Sequence, residues 1–533
     1  MADPLTKTIQ ILTSSKGKAS RRALNVALHS SEPRVCLLAC QEVLAKNHSA
    51  GIFELIKNYS QLPQKQREFL AQNIEKLVSP IRTALLNEDL SVQNNAIIAV
   101  QDLRPYSLIP HLLRIFEQEP PSRYLGNVQA VVMFLTNEFS RKFNGTVPQI
   151  PAYGHILTEI IDTLQHGFCL WKKHERMIFF DVFFKLSDHM TNIGYEFRDM
   201  TSDPNHPAQL PLIRKLVDSP DPQVIRFLIR QLESISAPPG ILSVAARRTD
   251  RLFVRMLLES IGYKPSLLYQ ENLSKIHKWE WLNHLRDWLP QQDAGYHCFV
   301  VALIRYSGLN ELEKINLYAQ ILRYGKTPGK LALLEALRNN MESSNINRLV
   351  LQTADDSEPE VQAAALSQLR ERNIKNWTAI LLKYVDSPSP LVRETISREL
   401  IEFRMARFLK KFDQFLPEQQ KFMFSVIRKV DPEFQEVMAL ELINPQQKHK
   451  DFLLQMISEE HLAVRFETPL IQFVEKENDV SLRLKGIKLL ALGRLSASYH
   501  CLKRIADNDL DKETRALAQR ICEIRSHILE HTG

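Results

Sequence analysis

Apolar residues return every three or four positions along most of this chain, a spacing that places them on one side of an α-helix. Val92, Ala96 and Val100 form one such stripe, and Ser91 before them is the predicted N-cap. The stripes are short, and polar or proline-containing turns separate them. The pattern therefore predicts many short helices that follow one another as pairs.

A degenerate phrase recurs at the predicted turns: an acidic or polar turn, a proline, and then a helix that begins with Val and Arg. The full form is Asp-Ser-Pro-Ser-Pro-Leu-Val-Arg at 386–393. Partial copies and weaker echoes occupy 218–226, 355–361, 87–93, 459–465 and 507–515. Val361 and Val392 are 31 residues apart, the length of two short helices and two tight turns. A repeat of this length predicts stacked helix pairs.

Length and composition agree with a repeat architecture. The chain has 533 residues, far more than one compact core of roughly 150 residues requires. Hydrophobic residues make up 44% and charged residues 24%, which is ordinary globular composition. A solenoid accommodates such a length because each repeat packs only on its neighbours.

The segment 123–205 differs from the rest in style. Its apolar patterns are longer, and the pattern near 155–190 is dense in phenylalanine. A wide buried helix explains this density, and an aromatic-lined groove for an apolar partner is the alternative. Prolines among polar residues mark a candidate boundary over 199–211. We predict three regions: helix pairs over 1–122, longer aromatic-rich helices over 123–205, and helix pairs over 206–533.

The turn phrase resembles the turns of HEAT repeats, the helix pairs of armadillo-like α-solenoids. This resemblance implies an all-α fold, a right-handed α-solenoid or superhelix of stacked HEAT-like helix pairs. It also implies that the turn Asp caps a helix, that Val enters the core, and that Arg reaches an Asp of an adjacent repeat. Asp386 and Arg393 match the full pattern. Asp218 is followed by Arg226 one position late, and Asp355 lacks its Arg.

Motifs of catalysis and of cofactor or metal binding are missing from the sequence. It contains no phosphate-binding glycine loop, no HExxH and no GxSxG. The single pair His174–Glu175 cannot build a metal site. Cys36 and Cys40 are four residues apart but lack further ligands, so small buried thiols explain them better than a metal pair. We predict a protein that is not an enzyme and that carries no cofactor and no metal.

Charge and targeting patterns limit the kinds of partner and the cellular compartment that the sequence predicts. The 68 basic and 61 acidic residues give a net charge of +7, which permits an acidic partner without demanding one. The six cysteines form no CxxC motif, which favours a reducing compartment. The N-terminus has no apolar stretch after a basic start, and the apolar run at 177–184 is too short to span a bilayer. We predict a cytoplasmic protein without a transmembrane segment.

A basic cluster is the first candidate binding site. Arg247, Arg248, Arg251 and Arg255 lie on one candidate helix, the last three at i, i+3 and i+7. A solvated helix face is one interpretation, because Glu259 lies four residues after Arg255 and could pair with it. Binding of phosphate or of an acidic peptide is the other.

A tryptophan cluster is the second candidate. His277, Trp281, His284 and Trp288 follow one another at steps of four, three and four, which would place them on one face of a helix. A packed aromatic junction between repeats is one interpretation. A recognition surface with Trp281 and Trp288 as anchors is the other, since tryptophan often dominates binding interfaces.

These patterns favour a non-enzymatic interaction scaffold that binds a protein partner of unknown identity along the solenoid surface. The alternative is a nucleic-acid-binding HEAT-like solenoid that uses basic helix faces. The candidate partner-binding residues are Arg247, Arg248, Arg251, Arg255, Trp281 and Trp288.

Overall fold

The structure is a computed structural model of the full chain, and it describes residues 4–15, 17–118, 122–143, 151–190, 197–338 and 343–532. Within these ranges every regular element is an α-helix or a 3₁₀ turn, and no strand occurs. Residues 1–324 and 325–533 form two compact units. The division of the chain into three regions, at 1–122, 123–205 and 206–533, stays a prediction.

The first unit begins with α1 (Pro4–Ser14), α2 (Lys18–Leu28), α3 (Pro33–Ala45), α4 (Ser49–Lys57), α5 (Gln64–Ala71), α6 (Val78–Leu85), α7 (Leu90–Leu103), α8 (Leu108–Phe116) and α9 (Ser122–Phe143). It continues with α10 (Pro151–Cys169), α11 (Trp171–His174), α12 (Ile178–Leu186), α13 (Arg198–Ser202), α14 (Gln209–Asp218), α15 (Pro222–Gln231), α16 (Pro239–Arg247), α17 (Arg251–Ile261), α18 (Leu267–Ser274), α19 (Leu285–Trp288), α20 (Ala294–Tyr306) and α21 (Glu311–Tyr324). Its 3₁₀ turns are Tyr59–Gln61, Ile74–Lys76, Ser187–His189, Glu280–His284 and Leu289–Gln291.

The second unit begins with α22 (Thr327–Leu337), α23 (Ser344–Thr353), α24 (Pro359–Leu366), α25 (Trp377–Leu382), α26 (Pro390–Glu399), α27 (Met405–Lys410) and α28 (Pro417–Val430). It continues with α29 (Phe434–Ile443), α30 (Lys450–Glu459), α31 (Glu467–Lys476), α32 (Val480–Leu490), α33 (Ser496–Asn508) and α34 (Lys512–Thr532). Its 3₁₀ turns are Ile401–Phe403 and Phe412–Gln414.

Helices of one pair pack on helices of the next pair along the chain. In the second unit α22 packs on α24, α24 on α26 and α26 on α28. In the first unit α15 packs on α17, and α17 packs on α20. The turn-phrase residues Val224, Val361 and Val392 are at most 1% exposed, so they lie in the core. Within each unit, the packing of helix pairs on neighbouring pairs confirms the predicted all-α solenoid of HEAT-like helix pairs.

Acidic side chains and prolines fix where many helices begin. Asp221 and Asp250, the N-caps of α15 and α17, each accept a first-turn backbone N–H over 2.9 Å. Proline occupies the first turn of α3, α15, α24 and α26. The N-cap of α7 is Asp89 and not the predicted Ser91. The Asp89 carboxylate accepts the N–H of Ser91 over 2.8 Å, so the helix begins earlier than the apolar stripe suggests.

The arginine of the full turn phrase departs from the family resemblance. Arg393 donates to the carbonyl oxygens of Ser387 over 2.6 Å and Pro388 over 3.0 Å, both in its own turn. Asp386 instead pairs with Lys429, 2.5 Å away. The expectation that Arg393 reaches an Asp of an adjacent repeat is therefore wrong, because the carbonyls of its own turn engage the guanidinium.

A ladder of ion pairs between helix pairs does exist in the second unit, but other residues build it. In each rung a turn acid binds a base 26 or 27 residues upstream. The rungs are Lys330–Asp356 at 2.7 Å, Arg404–Asp431 at 2.9 Å, Lys450–Glu477 at 2.6 Å and Arg483–Asp509. Each acid also accepts the backbone N–H two residues further on, over 2.9 to 3.1 Å. Each acid thus shapes its own turn and ties it to the preceding helix pair.

The phenylalanine-dense segment is a buried helix, α12. Its four phenylalanines, Phe179, Phe180, Phe183 and Phe184, are at most 2% exposed. The Phe183 ring lies 5.2 Å from that of Phe227 in α15, in an edge-to-face arrangement. Burial of these rings agrees with the predicted buried packing, but the pattern near 155–190 forms three helices, α10, α11 and α12, and not one wide helix. No aromatic-lined groove opens at these four rings.

Candidate partner-binding surface

The four predicted arginines do not share one helix, and Arg248 separates from the others. It is the C-cap of α16 and is 4% exposed. Its guanidinium donates to the carbonyl oxygens of Leu216 over 2.7 Å and Ser219 over 3.0 Å, and it pairs with Asp250 at 2.8 Å. Arg248 therefore ties the end of α14 to the start of α17. The structure corrects its predicted place on the binding face, because i, i+3, i+7 spacing assumes a continuous helix and α16 ends before Arg248.

Arg247, Arg251 and Arg255 are exposed. Within the described part of the chain, neither Arg247 nor Arg251 forms an ion pair. Arg251 Nη2 donates to Gln291 Oε1 over 2.5 Å, and Gln291 is itself held by a bond to the carbonyl oxygen of Asp287. An uncharged amide thus positions Arg251 without neutralising it.

Arg255 is bound by Tyr296, a residue of the next helix pair. Its guanidinium carbon lies 5.5 Å from the Tyr296 ring centroid, and Nε and Nη2 donate to the hydroxyl oxygen over 3.3 and 3.2 Å. The same hydroxyl donates to the carboxylate of Glu259. The solvated-face interpretation predicts a direct pair of Arg255 with Glu259. In the structure Tyr296 bridges the two side chains and fixes the guanidinium over its ring.

Tryptophan extends this surface at α19. Trp288 is partly exposed, and its ring lies 5.5 Å from that of Trp281 and 6.4 Å from that of Tyr296. Trp279 and Trp281 are 2% and 3% exposed, which confirms a packed junction for these two. In the described residues, the indole N–H groups of Trp281 and Trp288 have no hydrogen-bond partner. Of the two predicted anchors, only Trp288 reaches the surface.

The predicted common face of His277, Trp281, His284 and Trp288 does not form. Glu280–His284 is a 3₁₀ turn, and the α-helix that follows has only four residues. Steps of four, three and four align side chains only on a continuous α-helix. His277 instead places Nδ1 2.7 Å from the carbonyl oxygen of Gly308.

We call Arg247, Arg251, Arg255, Trp288 and Tyr296 the Arg–aromatic surface. Arginine and aromatic side chains are the types that most often dominate protein interfaces. Gln291 and Tyr296 restrain two of the arginines, which lowers the entropy that a ligand must remove on binding. A guanidinium has five N–H donors, and Tyr296 engages only two of those on Arg255. The surface can therefore bind carboxylates beside a flat apolar group.

Sequence reasoning missed Tyr296 and Gln291, which lie 41 and 40 residues from their arginines. Both positions belong to the next helix pair, so spacing within a single helix gives no indication of them. Asp293 is the N-cap of α20, as Asp250 is of α17. Alignment of these two caps would have pointed to the first turn of α20 as the neighbour of Arg255.

Cys36 and Cys40 lie inside the first unit, as small buried thiols. Cys36 Sγ donates to the carbonyl oxygen of Leu28 over 2.6 Å and accepts from Gln66 Nε2 over 2.6 Å. Burial, together with the neighbouring Cys36, raises the pKa of Cys40 to about 12. Among the described residues, no group of three His, Cys, Asp or Glu side chains is arranged to hold a metal ion. Over the same ranges, the structure contains no helix with both the length and the apolar composition that a membrane span requires.

No family model and no curated protein matches the sequence. Among solved structures, one match is a chain from the Pds5–Scc1 complex of cohesin function, with 11% identity over 94% of this chain and 73% of that chain and a TM-score of 0.20. Another comes from microtubule polymerases with tumor overexpressed gene (TOG) domain arrays that recruit tubulin, with 12% identity over 97% and 96% and a TM-score of 0.19. At these TM-scores neither match adds to the solenoid assignment, which follows from the helix packing.

Proposed function

We propose that this chain is a non-enzymatic interaction scaffold that binds a protein partner through the Arg–aromatic surface. The observation that carries the proposal is the pair of exposed arginines, Arg251 and Arg255, that neighbouring residues hold in place without consuming all their donors. Such pre-organised arginines next to Trp288 and Tyr296 form the kind of cluster that concentrates binding energy in protein interfaces.

A protein partner fits this surface better than a nucleic acid does. Nucleic-acid affinity comes largely from many phosphate contacts, whereas Glu259 lies within the same network as Arg255. A net charge of +7 over 533 residues is also small for that purpose. The nucleic-acid-binding solenoid remains the alternative that the experiment below distinguishes.

The scaffold is proposed to work in the cytoplasm. All six cysteines are free thiols, and Cys36, Cys40 and Cys501 are buried. Free thiols in this number suit a compartment that keeps cysteines reduced.

The test is quantitative affinity capture from native lysate with the tagged full chain and with the triple variant Arg247→Glu, Arg251→Glu, Arg255→Glu. We expect a defined set of proteins to bind the wild type and to be depleted about tenfold or more by the variant, since charge reversal replaces attraction with repulsion. The matched control is Lys65→Glu, Lys172→Glu, Lys173→Glu, which reverses three exposed lysines elsewhere in the same unit.

Equal capture by the wild type and the triple arginine variant would overturn the proposal. Two results together would favour the nucleic-acid alternative. The wild type would be retained on heparin or DNA in a salt-sensitive way that the arginine variant loses, and after nuclease treatment the wild type and the variant would capture the same proteins. Circular dichroism of each variant establishes that the helices are intact.

A further inference from the structure

Two helices of adjacent pairs present an arginine at the same position. Asp221 is the N-cap of α15 and Asp250 is the N-cap of α17. Arg226 and Arg255 are each the fifth residue after these caps, and both are exposed. Because α15 packs on α17, the two arginines occupy equivalent positions on neighbouring helices.

A neighbouring pair holds each of these arginines. Arg226 Nε lies 3.5 Å from Asp188 Oδ2, and Arg230 binds the other oxygen of the same carboxylate. Arg255 is held by Tyr296 on α20, as described above. Arg226, Arg255 and Tyr296 thus mark three consecutive stacked helices, α15, α17 and α20. We call these three residues the row. Its first two positions are guanidinium groups, and its third is the Tyr296 ring with Trp288 beside it.

The spacing of this row matches an extended peptide. Packed helices lie about 8–10 Å apart. A chain in polyproline II conformation rises about 3.1 Å per residue with three residues per turn, so its residues i, i+3 and i+6 lie on one face. Every third residue of such a segment that crosses the row would therefore meet a new helix. Acidic side chains at positions i and i+3 would face Arg226 and Arg255, and an apolar or aromatic side chain at i+6 would reach Tyr296 and Trp288.

We infer that the occupant of this row is an unstructured acidic segment of a protein partner, bound in polyproline II conformation across α15, α17 and α20 with acidic residues three apart. This inference rests on the proposed function and adds the chemistry and spacing of the bound segment. Charge complementarity supports it, because a carboxylate can form charge-assisted hydrogen bonds with the donors that the arginines still have available. The acid Asp188 already shared by Arg226 and Arg230 shows this surface binding a carboxylate from within the chain.

The test uses a fluorescent synthetic peptide with Glu at every third position followed by Phe, and its binding to the full chain by fluorescence anisotropy at low salt. The comparison peptide has the same composition with all Glu residues adjacent. We expect the spaced peptide to bind at least about tenfold more tightly, because only its acids keep the register of the helices. Arg226→Gln and Arg255→Gln should each weaken the spaced peptide about tenfold, and Lys172→Glu should leave its binding unchanged.

A charge swap makes the test independent of folding defects. The double variant Arg226→Glu, Arg255→Glu should lose the Glu peptide and gain a peptide with Lys at every third position. Equal affinity for the spaced and adjacent peptides, or no gain of the Lys peptide by a variant with wild-type circular dichroism, would overturn the inference. Tighter binding of a single-stranded oligonucleotide than of the spaced peptide would overturn it as well. If protein capture still depends on Arg247, Arg251 and Arg255 in those cases, the scaffold function stands and only the extended acidic register is rejected.

Discussion

Lys450 Nζ lies 2.6 Å from Glu477 Oε2, and both side chains are only 11% exposed although 27 residues separate them. Glu477 also accepts the backbone N–H groups of Asn478 and Asp479. Burial alone would raise the pKa of Glu477, but the hydrogen bonds from Lys450 and from these N–H groups outweigh burial and lower it. A carboxyl with a lowered pKa stabilises the folded chain in its ionised form.

The first prediction follows from this rung. At pH 7 we expect Glu477→Gln to lower the free energy of unfolding by about 2–3 kcal/mol, since the Lys450 ammonium loses its counter-charge in a mostly buried setting. The contribution of Glu477 is fully present above its unfolded pKa of about 4.3 and is lost as the pH falls through the lower folded pKa. Urea unfolding at pH 7 and at successively lower pH should show the two chains converging in acid. Exposed Glu513→Gln is the control and should change stability by less than about 0.5 kcal/mol.

The second prediction concerns Glu467, a carboxylate that is 2% exposed in α31. It accepts the backbone N–H groups of Arg494 over 2.6 Å and Leu495 over 2.8 Å, and the hydroxyl of Ser498 over 2.6 Å. These groups lie at the start of α33, so Glu467 caps a helix from the preceding pair. Glu467→Ala should cost about 3 kcal/mol, because several buried donors lose their acceptor together. A loss below about 0.5 kcal/mol in chemical unfolding would contradict this capping role.

The third prediction uses two glycines of one helix, α10. A Cβ at Gly167 would lie 2.2 Å from Cε1 of Phe179, whereas a Cβ at Gly154 would meet nothing within 4 Å. Gly167→Ala should therefore destabilise the first unit by about 2 kcal/mol, the effect of overpacking a core. Gly154→Ala should stabilise it by up to about 1 kcal/mol through helix propensity. Thermal unfolding of both variants checks the opposite signs, and equal shifts would contradict the close contact of α10 with α12.

The fourth prediction separates the two kinds of arginine in the predicted cluster. Arg248→Ala should lower stability by about 3 kcal/mol, since the carbonyl oxygens of Leu216 and Ser219 lose a buried charged donor. Arg251→Ala should leave unfolding within about 0.5 kcal/mol of the wild type and reduce partner capture. Thermal unfolding and affinity capture, measured on both variants, distinguish the roles. The assignment fails if Arg251→Ala destabilises the chain as much as Arg248→Ala does.

The sequence predicted those features of the fold that depend on local spacing. Val224, Val361 and Val392 mark helix starts and core positions because both depend on residues within one turn of the chain. The ladder could not be predicted in the same way, since Lys330 and Asp356 meet only after two helices have folded and stacked.

The candidate site was predicted in part for the same reason. Arg248 and Arg251 are three residues apart, but the break between α16 and α17 buries one and exposes the other. The common helix face predicted from the histidine and tryptophan spacing was wrong because Glu280–His284 forms a 3₁₀ turn. Tyr296 could not be paired with Arg255 without knowing which helix follows α17 in the stack.

The turn acids both shape their own turns and bind the preceding helix pair, and this has a consequence for unfolding under force. Asp356, Asp431, Glu477 and Asp509 each bind a turn of the second unit to the preceding helix pair, so a hairpin that contains one of these turns cannot detach without breaking its ion pair to a neighbour. When it is pulled from its ends, the second unit should unfold in abrupt steps that each release several hairpins together, and not one hairpin at a time. The second unit should therefore keep its length up to a threshold force and lengthen suddenly above it.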